Sequence, residues 1–96
     1  MLNSRQKKFL RAKAHHLKPA VLIGKSGVTG GCLKSIDGAI KSHELIKVKF
    51  LEHKDKIKSL SDTICTKTES EIIGDIGYTI MLFRQNPDKD KRKYSI

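Results

Sequence analysis

The sequence predicts an α/β fold with element order αβαβαββ, and three observations carry that reading. Apolar residues recur at helical spacing in three stretches; in four shorter ones they alternate or run together; and glycine and proline punctuate the joints. At 96 residues the chain is the size of one domain with one modest core. A hydrophobic fraction of 38% suffices for that core because the apolar side chains are clustered periodically.

Asn3 or Ser4 can cap a first helix running to about Ala14, with Phe9, Leu10 and Ala14 on its apolar side. Arg5, Lys7, Lys8 and Arg11 fall on the opposite side. His15-His16-Leu17-Lys18-Pro19 ends the helix, since the residue before a proline avoids helical dihedrals. Ala20-Val21-Leu22-Ile23 is a continuous apolar run between Pro19 and Gly24 and reads as a buried strand. After Gly24-Lys25-Ser26-Gly27, Thr29 can cap a second helix to about Ser42, turning Leu33, Ile36 and Ile40 inward. Gly30, Gly31 and Gly38 weaken that helix by up to ~1 kcal/mol each relative to alanine, so packing must hold it.

The stretch from Leu45 to Leu51 alternates. Ile46, Val48 and Phe50 point one way, Lys47 and Lys49 the other, which gives a strand with one wet, positive face. Asp55 opens a third helix to about Thr68, striped by Ile57, Leu60, Ile64 and Cys65. Glu71–Ile76 and Tyr78–Phe83 read as two further strands, with a tight turn or bulge at Gly77. Residues 85–96, with Pro87 and mixed Asp, Lys and Arg, are expected to form a basic, flexible tail behind a single domain of residues 1–84. Right-handed crossovers would put the second and third helices on one sheet face. The other face would be open, or partly covered by the first helix, with Lys47 and Lys49 on it.

Charge is the strongest compositional signal: 20 Lys+Arg against 10 Asp+Glu, a formal net charge of +10. That balance calls for an anionic partner, usually nucleic acid or a membrane surface. Its distribution is polarised. Arg5, Lys7, Lys8, Arg11, Lys13, Lys18, Lys25 and Lys34 lie between Met1 and Ile36 with no acid among them, whereas residues 50–86 hold five basic and six acidic side chains. One binding face in the N-terminal half follows. No apolar run approaches the ~18 residues of a membrane span, and no signal-peptide core is present. Cys32 and Cys65, without a CxxC, fall at helical positions where free cysteine acts as a small apolar residue, pointing to a reducing cytoplasm.

The Gly24-Lys25-Ser26-Gly27 turn between strand and helix has a physical logic. Glycine permits positive φ, and its missing Cβ lets a sugar-phosphate backbone approach the main chain. Free N–H groups at the following helix start then face phosphates, with Lys25 and Ser26 adding a charge and a hydroxyl. Such GxxG loops clamp single-stranded nucleic acid in KH-type modules; a plain turn would also use these glycines. A P-loop is excluded, because the position five before Gly24 is Pro19 where the Walker pattern needs glycine. His15, His16, His43 and His53 lack metal-ligand spacing, Glu69 and Glu71 flank a strand start, and no nucleophile–base constellation is visible. No metal, cofactor, small-molecule substrate or catalysis is therefore expected. Phe9, Phe50 and Phe83 fit core positions by periodicity, which leaves too few aromatics for a stacking platform. Phosphate and sugar contacts should dominate.

Several blocks together resemble the CRM domain, and more closely its stand-alone bacterial YhbY-type members. They are Gln6-Lys7 followed by Leu10, Ala14-His15-His16-Leu17-Lys18-Pro19, the GxxG loop, His43-Glu44-Leu45-Ile46-Lys47-Val48-Lys49, and Gly77-Tyr78-Thr79-Ile80-Met81-Leu82-Phe83-Arg84. The resemblance covers roughly Leu2 to Arg84; the lysine-rich tail is less typical of the family. It implies a two-layer α+β sandwich similar to the C-terminal domain of bacterial translation initiation factor three, with a four-stranded mixed sheet. It also implies binding to structured ribosomal RNA and association with large-subunit precursors during ribosome assembly.

The expectation is a non-enzymatic, monomeric, RNA-binding ribosome-assembly factor. Gly24 and Gly27 would allow backbone approach, Lys25 and Ser26 would contact phosphate, and Lys7, Lys8, Arg11, Lys18, Lys47, Lys49 and Arg84 would extend the footprint. A general DNA-binding module and a ribosome-associated protein-interaction adaptor are the alternatives.

Overall fold

The computed structural model describes residues 1–96. Asn3 starts α1 (Ser4–Ala14) through a capping box: its side chain accepts from Gln6 N at 2.8 Å, and the Gln6 side chain accepts from Asn3 N at 2.9 Å. Then follow β1 (Pro19–Ile23), α2 (Gly30–His43) and β2 (Leu45–Phe50). A 3₁₀ turn at Lys54–Lys56 precedes α3 (Ile57–Thr68), and β3 (Glu71–Ile76) and β4 (Thr79–Phe83) form a hairpin across Gly77-Tyr78. The sheet order is β1-β2-β4-β3, with β1 and β2 parallel and β4 antiparallel to both its neighbours. The sheet is therefore mixed, and the β2–α3–β3 crossover passes over β4.

Both crossover helices lie on one face. There Ile36 and Ile40 of α2 and Ile64 of α3 meet Ile46, Val48 and Phe50 of β2 and Ile80 and Leu82 of β4. On the opposite face Leu10 and Ala14 of α1 cover Leu45, Ile73, Met81 and Phe83. The two-residue period of β2 thus sorts its side chains as the alternation requires.

Two core expectations are corrected. β1 is an edge strand in which only Ile23 is buried and Leu22 is 56% exposed. A continuous apolar run suggests burial on both faces, but α1 packs over β3 and β2 and leaves the β1 side of that face open. Phe9 is 39% exposed, with Lys13 Nζ 5.4 Å above its ring. Leu10 and Ala14, one turn apart, define the buried stripe of α1, and Phe9 sits on its shoulder.

Residues 85–96 differ most from expectation, because they fold back onto the domain. Glu44 closes α2 in a positive-φ conformation (63°) and is 1% exposed. Its carboxylate accepts from Asn86 N at 2.6 Å and from Lys93 N, while its carbonyl accepts from Arg84 N at 2.9 Å. Arg92 Nε donates to Asn86 O at 2.8 Å. Tyr94 meets Phe83 edge-on, ring centroids 6.3 Å apart, and Tyr94 and Ile96 pack on the α1-side core. Burial raises the Tyr94 phenol above its ordinary value, and the nearby Glu44 carboxylate adds to the rise. A count of charges hides these two apolar anchors.

Cys32 and Cys65 are free and partly buried, and desolvation raises both thiols above the ordinary value of 9.0. A folded thiol that holds its proton longer than the unfolded one contributes stability that is present below that value and declines as pH rises past it. At pH 8 both thiols should alkylate more slowly in the native chain than in denaturant, since the thiolate is the nucleophile. Equal rates, read by mass spectrometry, would contradict their burial.

Candidate nucleic-acid interface

The two glycines of the loop have different physical roles. Gly27 adopts φ +72° and donates its N–H to Gly24 O at 3.0 Å, so it makes the turn itself. Gly24 has no positive φ, and a Cβ there would meet nothing within 4 Å. Folding leaves that space open. Lys25 and Ser26 are exposed at the tip. Immediately beyond, the Thr29 hydroxyl accepts from Cys32 N (3.0 Å) and its carbonyl from Leu33 N (2.9 Å), which caps α2. Gly30 and Gly31, the first residues of the helix, keep N–H groups with no intrahelical acceptor. Loop and helix start together can receive an anion.

His53 is a member of this site that sequence reasoning missed. It adopts a left-handed conformation (φ 58°) after β2, and its Nε2 lies 2.8 Å from Lys25 O. A carbonyl only accepts, so Nε2 carries the proton and donates. The imidazole also lies 3.4 Å from the Cβ position of Gly27, bracing the turn from below. Leu51 N and Glu52 N both donate to Ile23 O (2.9 and 3.3 Å), tying the end of β2 to the start of the loop.

The open part of the sheet face continues the site. In the β1–β2 register Pro19 pairs with Lys47 and Leu22 with Lys49. Lys18, Lys47, Lys49 and Lys25 therefore follow the two strands from start to end, a track of about 20 Å. Lys47 Nζ donates to His15 O at 3.3 Å, which brings the end of α1 to the border of this track. His15 and His16 meet edge-on there, ring centroids 5.2 Å apart.

Three of the expected cations lie elsewhere, engaged with internal partners. Lys7 pairs with Glu71 at 3.6 Å. The Arg11 guanidinium donates to Ile73 O at 2.8 Å, its stem crossing Gly74, where a Cβ would stand 2.6 Å from Arg11 Cδ. Arg84 Nη1 donates to Asp37 Oδ1 and to Thr68 O, each at 2.7 Å, bridging α2 and α3. Lys8 is exposed on α1. Helical spacing shows which residues share a side but not which of them find an acceptor on the neighbouring strand. An Arg84→Gln chain should lose about 1–2 kcal/mol of stability in urea unfolding, a charge-assisted bond discounted for partial exposure. An unchanged midpoint would contradict the bridge.

A family model described as the CRS1 / YhbY (CRM) domain matches residues 2–84. The chain belongs to the CRM domain family. A Haemophilus influenzae protein named RNA-binding protein is 38% identical over 88 residues, covering 91% of this chain and 89% of its own length. The Bacillus subtilis protein named Probable RNA-binding protein YqeI is 37% identical over 89 residues, covering 92% of this chain and 93% of its own. The solution structure of the Staphylococcus aureus protein SAV1595 superposes with a TM-score of 0.82 at 34% identity, covering 99% of this chain and all of that one. The CRM fold is thus α+β, as the residue pattern implied, with the four-stranded mixed sheet that the resemblance implied.

Proposed function

We propose that this CRM domain binds structured ribosomal RNA in large-subunit precursors, holding RNA structure without covalent chemistry. Gly24 carries the reading. It is a glycine that the fold does not need, beside exposed Lys25 and Ser26 and ahead of the two unpaired amides of α2. A missing Cβ there suits a sugar-phosphate backbone. Lys18, Lys47 and Lys49 continue the contact by charge, and phosphate contacts of this kind give position more than sequence readout. The names of the relatives support RNA as the ligand, and the family resemblance supports the large-subunit precursor. The half-buried free thiols suit a reducing cytoplasm, and no helix is long and apolar enough to cross a membrane.

Crosslinking in cells, followed by sequencing of the attached RNA and by gradient sedimentation, tests the assignment. Large-subunit ribosomal RNA and co-migration with precursor particles are expected; crosslinks scattered over unrelated transcripts would overturn it. Structured RNA titrated against duplex DNA at fixed salt separates the DNA-binding alternative, which requires the duplex to win.

A further inference from the structure

We infer that the cavity between α3 and the β3–β4 turn receives one unpaired guanine of the bound RNA, a reading that rests on the RNA assignment above. The cavity holds about 510 Å³, within the range of small-ligand sites. Ile57, Ile72 and Ile80 give it apolar walls. Tyr78 stands at its edge, 50% exposed, with Lys54 Nζ 4.5 Å from the ring centroid. Ser61 lines it too; that residue is 3% exposed, and its hydroxyl oxygen has no hydrogen-bond partner. Buried hydroxyls are seldom left unpaired, so this one is open to a ligand.

Asp62, Asp75 and Lys58 join Lys54 in the lining, so two acids are balanced by two bases and together they decide the chemistry. With no net positive charge, the cavity attracts a phosphate less than the lysine track does. The carboxylates only accept hydrogen bonds and the ammonium groups only donate them, so the occupant is a flat, neutral group with donors beside an acceptor. Among the four RNA bases only guanine offers two adjacent donors, N1–H and the N2 amino group, to a single carboxylate, with the O6 acceptor beside them for a lysine. Adenine and cytosine would turn a ring-nitrogen lone pair towards the acid, and uracil two carbonyls. The aromatic ring supplies the stacking surface on which unpaired bases are recognised.

The cavity is also within reach of the loop. Phe50 N donates to Tyr78 O at 2.8 Å, and the strand order places β2 between β1 and β4. Tyr78 is thus about two strand spacings, roughly 10 Å, from the loop. Lys54 follows His53, which braces the loop from beneath. A strand held by its phosphates at Gly24 could turn one base around the end of the sheet into the cavity. One tyrosine reads one base, in keeping with the scarcity of aromatics.

Fluorescence anisotropy on the full chain tests this with hairpin RNAs identical except for one unpaired loop base: guanine, inosine, adenine or uracil. The guanine hairpin should bind about tenfold tighter than those with adenine or uracil, and inosine, lacking the N2 amino group, should fall between. Tyr78→Ala should weaken the guanine hairpin about tenfold and leave the uracil hairpin unchanged, whereas Tyr78→Phe should retain guanine binding. The Asp62→Asn/Asp75→Asn double variant should erase the preference, with the ratio between hairpins as the readout because the added positive charge strengthens all binding. Equal binding of every hairpin, with Gly24→Asp still weakening them all, overturns the cavity and leaves the RNA assignment standing. If Gly24→Asp weakens none of them, the RNA assignment falls, and this inference with it.

Discussion

A Gly24→Asp chain should melt at the parent temperature and bind RNA on the order of 100-fold more weakly. The first half follows from the backbone: Gly24 has no positive φ, and a side chain there projects into open space. The second follows from charge. A carboxylate about 4 Å from a phosphate is opposed by ~1 kcal/mol in bulk water and ~4 kcal/mol at a surface dielectric near 20, and ~1.4 kcal/mol is tenfold in affinity. Gly27→Ala makes the control. Its φ of +72° and the His53 ring at 3.4 Å charge the substitution to the fold, at about 1–2 kcal/mol. Calorimetry with anisotropy separates the two: Gly24 moves affinity alone, Gly27 moves stability first. The parent affinity should also fall with salt, with a log–log slope near −0.7 per single-strand phosphate contact. Unchanged RNA affinity in Gly24→Asp would remove the loop from the interface.

Glu44→Ala should cost about 3 kcal/mol and release the C-terminal residues. The carboxylate is the shared acceptor for Asn86 N and Lys93 N at a position that is 1% exposed, and each hydrogen bond to a charged group contributes about 1.5–3 kcal/mol. For a domain of this size that is a fall of about 12–24 °C in Tm. Glu44→Gln should not rescue it, because its amide nitrogen would confront one of two backbone donors where only acceptors fit. Hydrogen exchange should accelerate at Asn86, Lys93 and Tyr94 in both variants. Deleting residues 86–96 should cost a similar amount, and adding Glu44→Ala to that deletion little more, since both remove one interaction. A Glu44→Ala chain with the parent Tm and protected tail amides would refute the latch.

What was legible in the sequence is what depends on neighbours in the chain. The Asn3 cap, the alternation from Ile46 to Phe50 and the stripe of α2 each leave a local period or a spacing of three. The glycine loop was legible for the same reason, since strand, turn and helix start adjoin. Long-range pairings were not. Arg11 meets Ile73 across 62 residues, Glu44 meets Lys93 across 49 and His53 meets Lys25 across 28. None of these leaves a periodic mark. The positive φ at Glu44 belongs to a residue type that gives no warning of it. Charge is visible in a sequence but its direction is not, so Lys49 and Arg84 looked alike until one lay on the open face and the other between two helices.

The place of β4 also governs how the molecule can be made. This strand comes last of the four yet lies between β2 and β3. During synthesis, β1 and β2 can pair as soon as the α2 crossover is out, but β3 emerges with no partner in place. Only when residues through Phe83 have left the ribosome can one insertion satisfy both flanks, and the Glu44 latch closes later still. Nascent chains stopped before that point carry two unpaired strand margins, the kind of surface that chaperones hold and that neighbouring chains join.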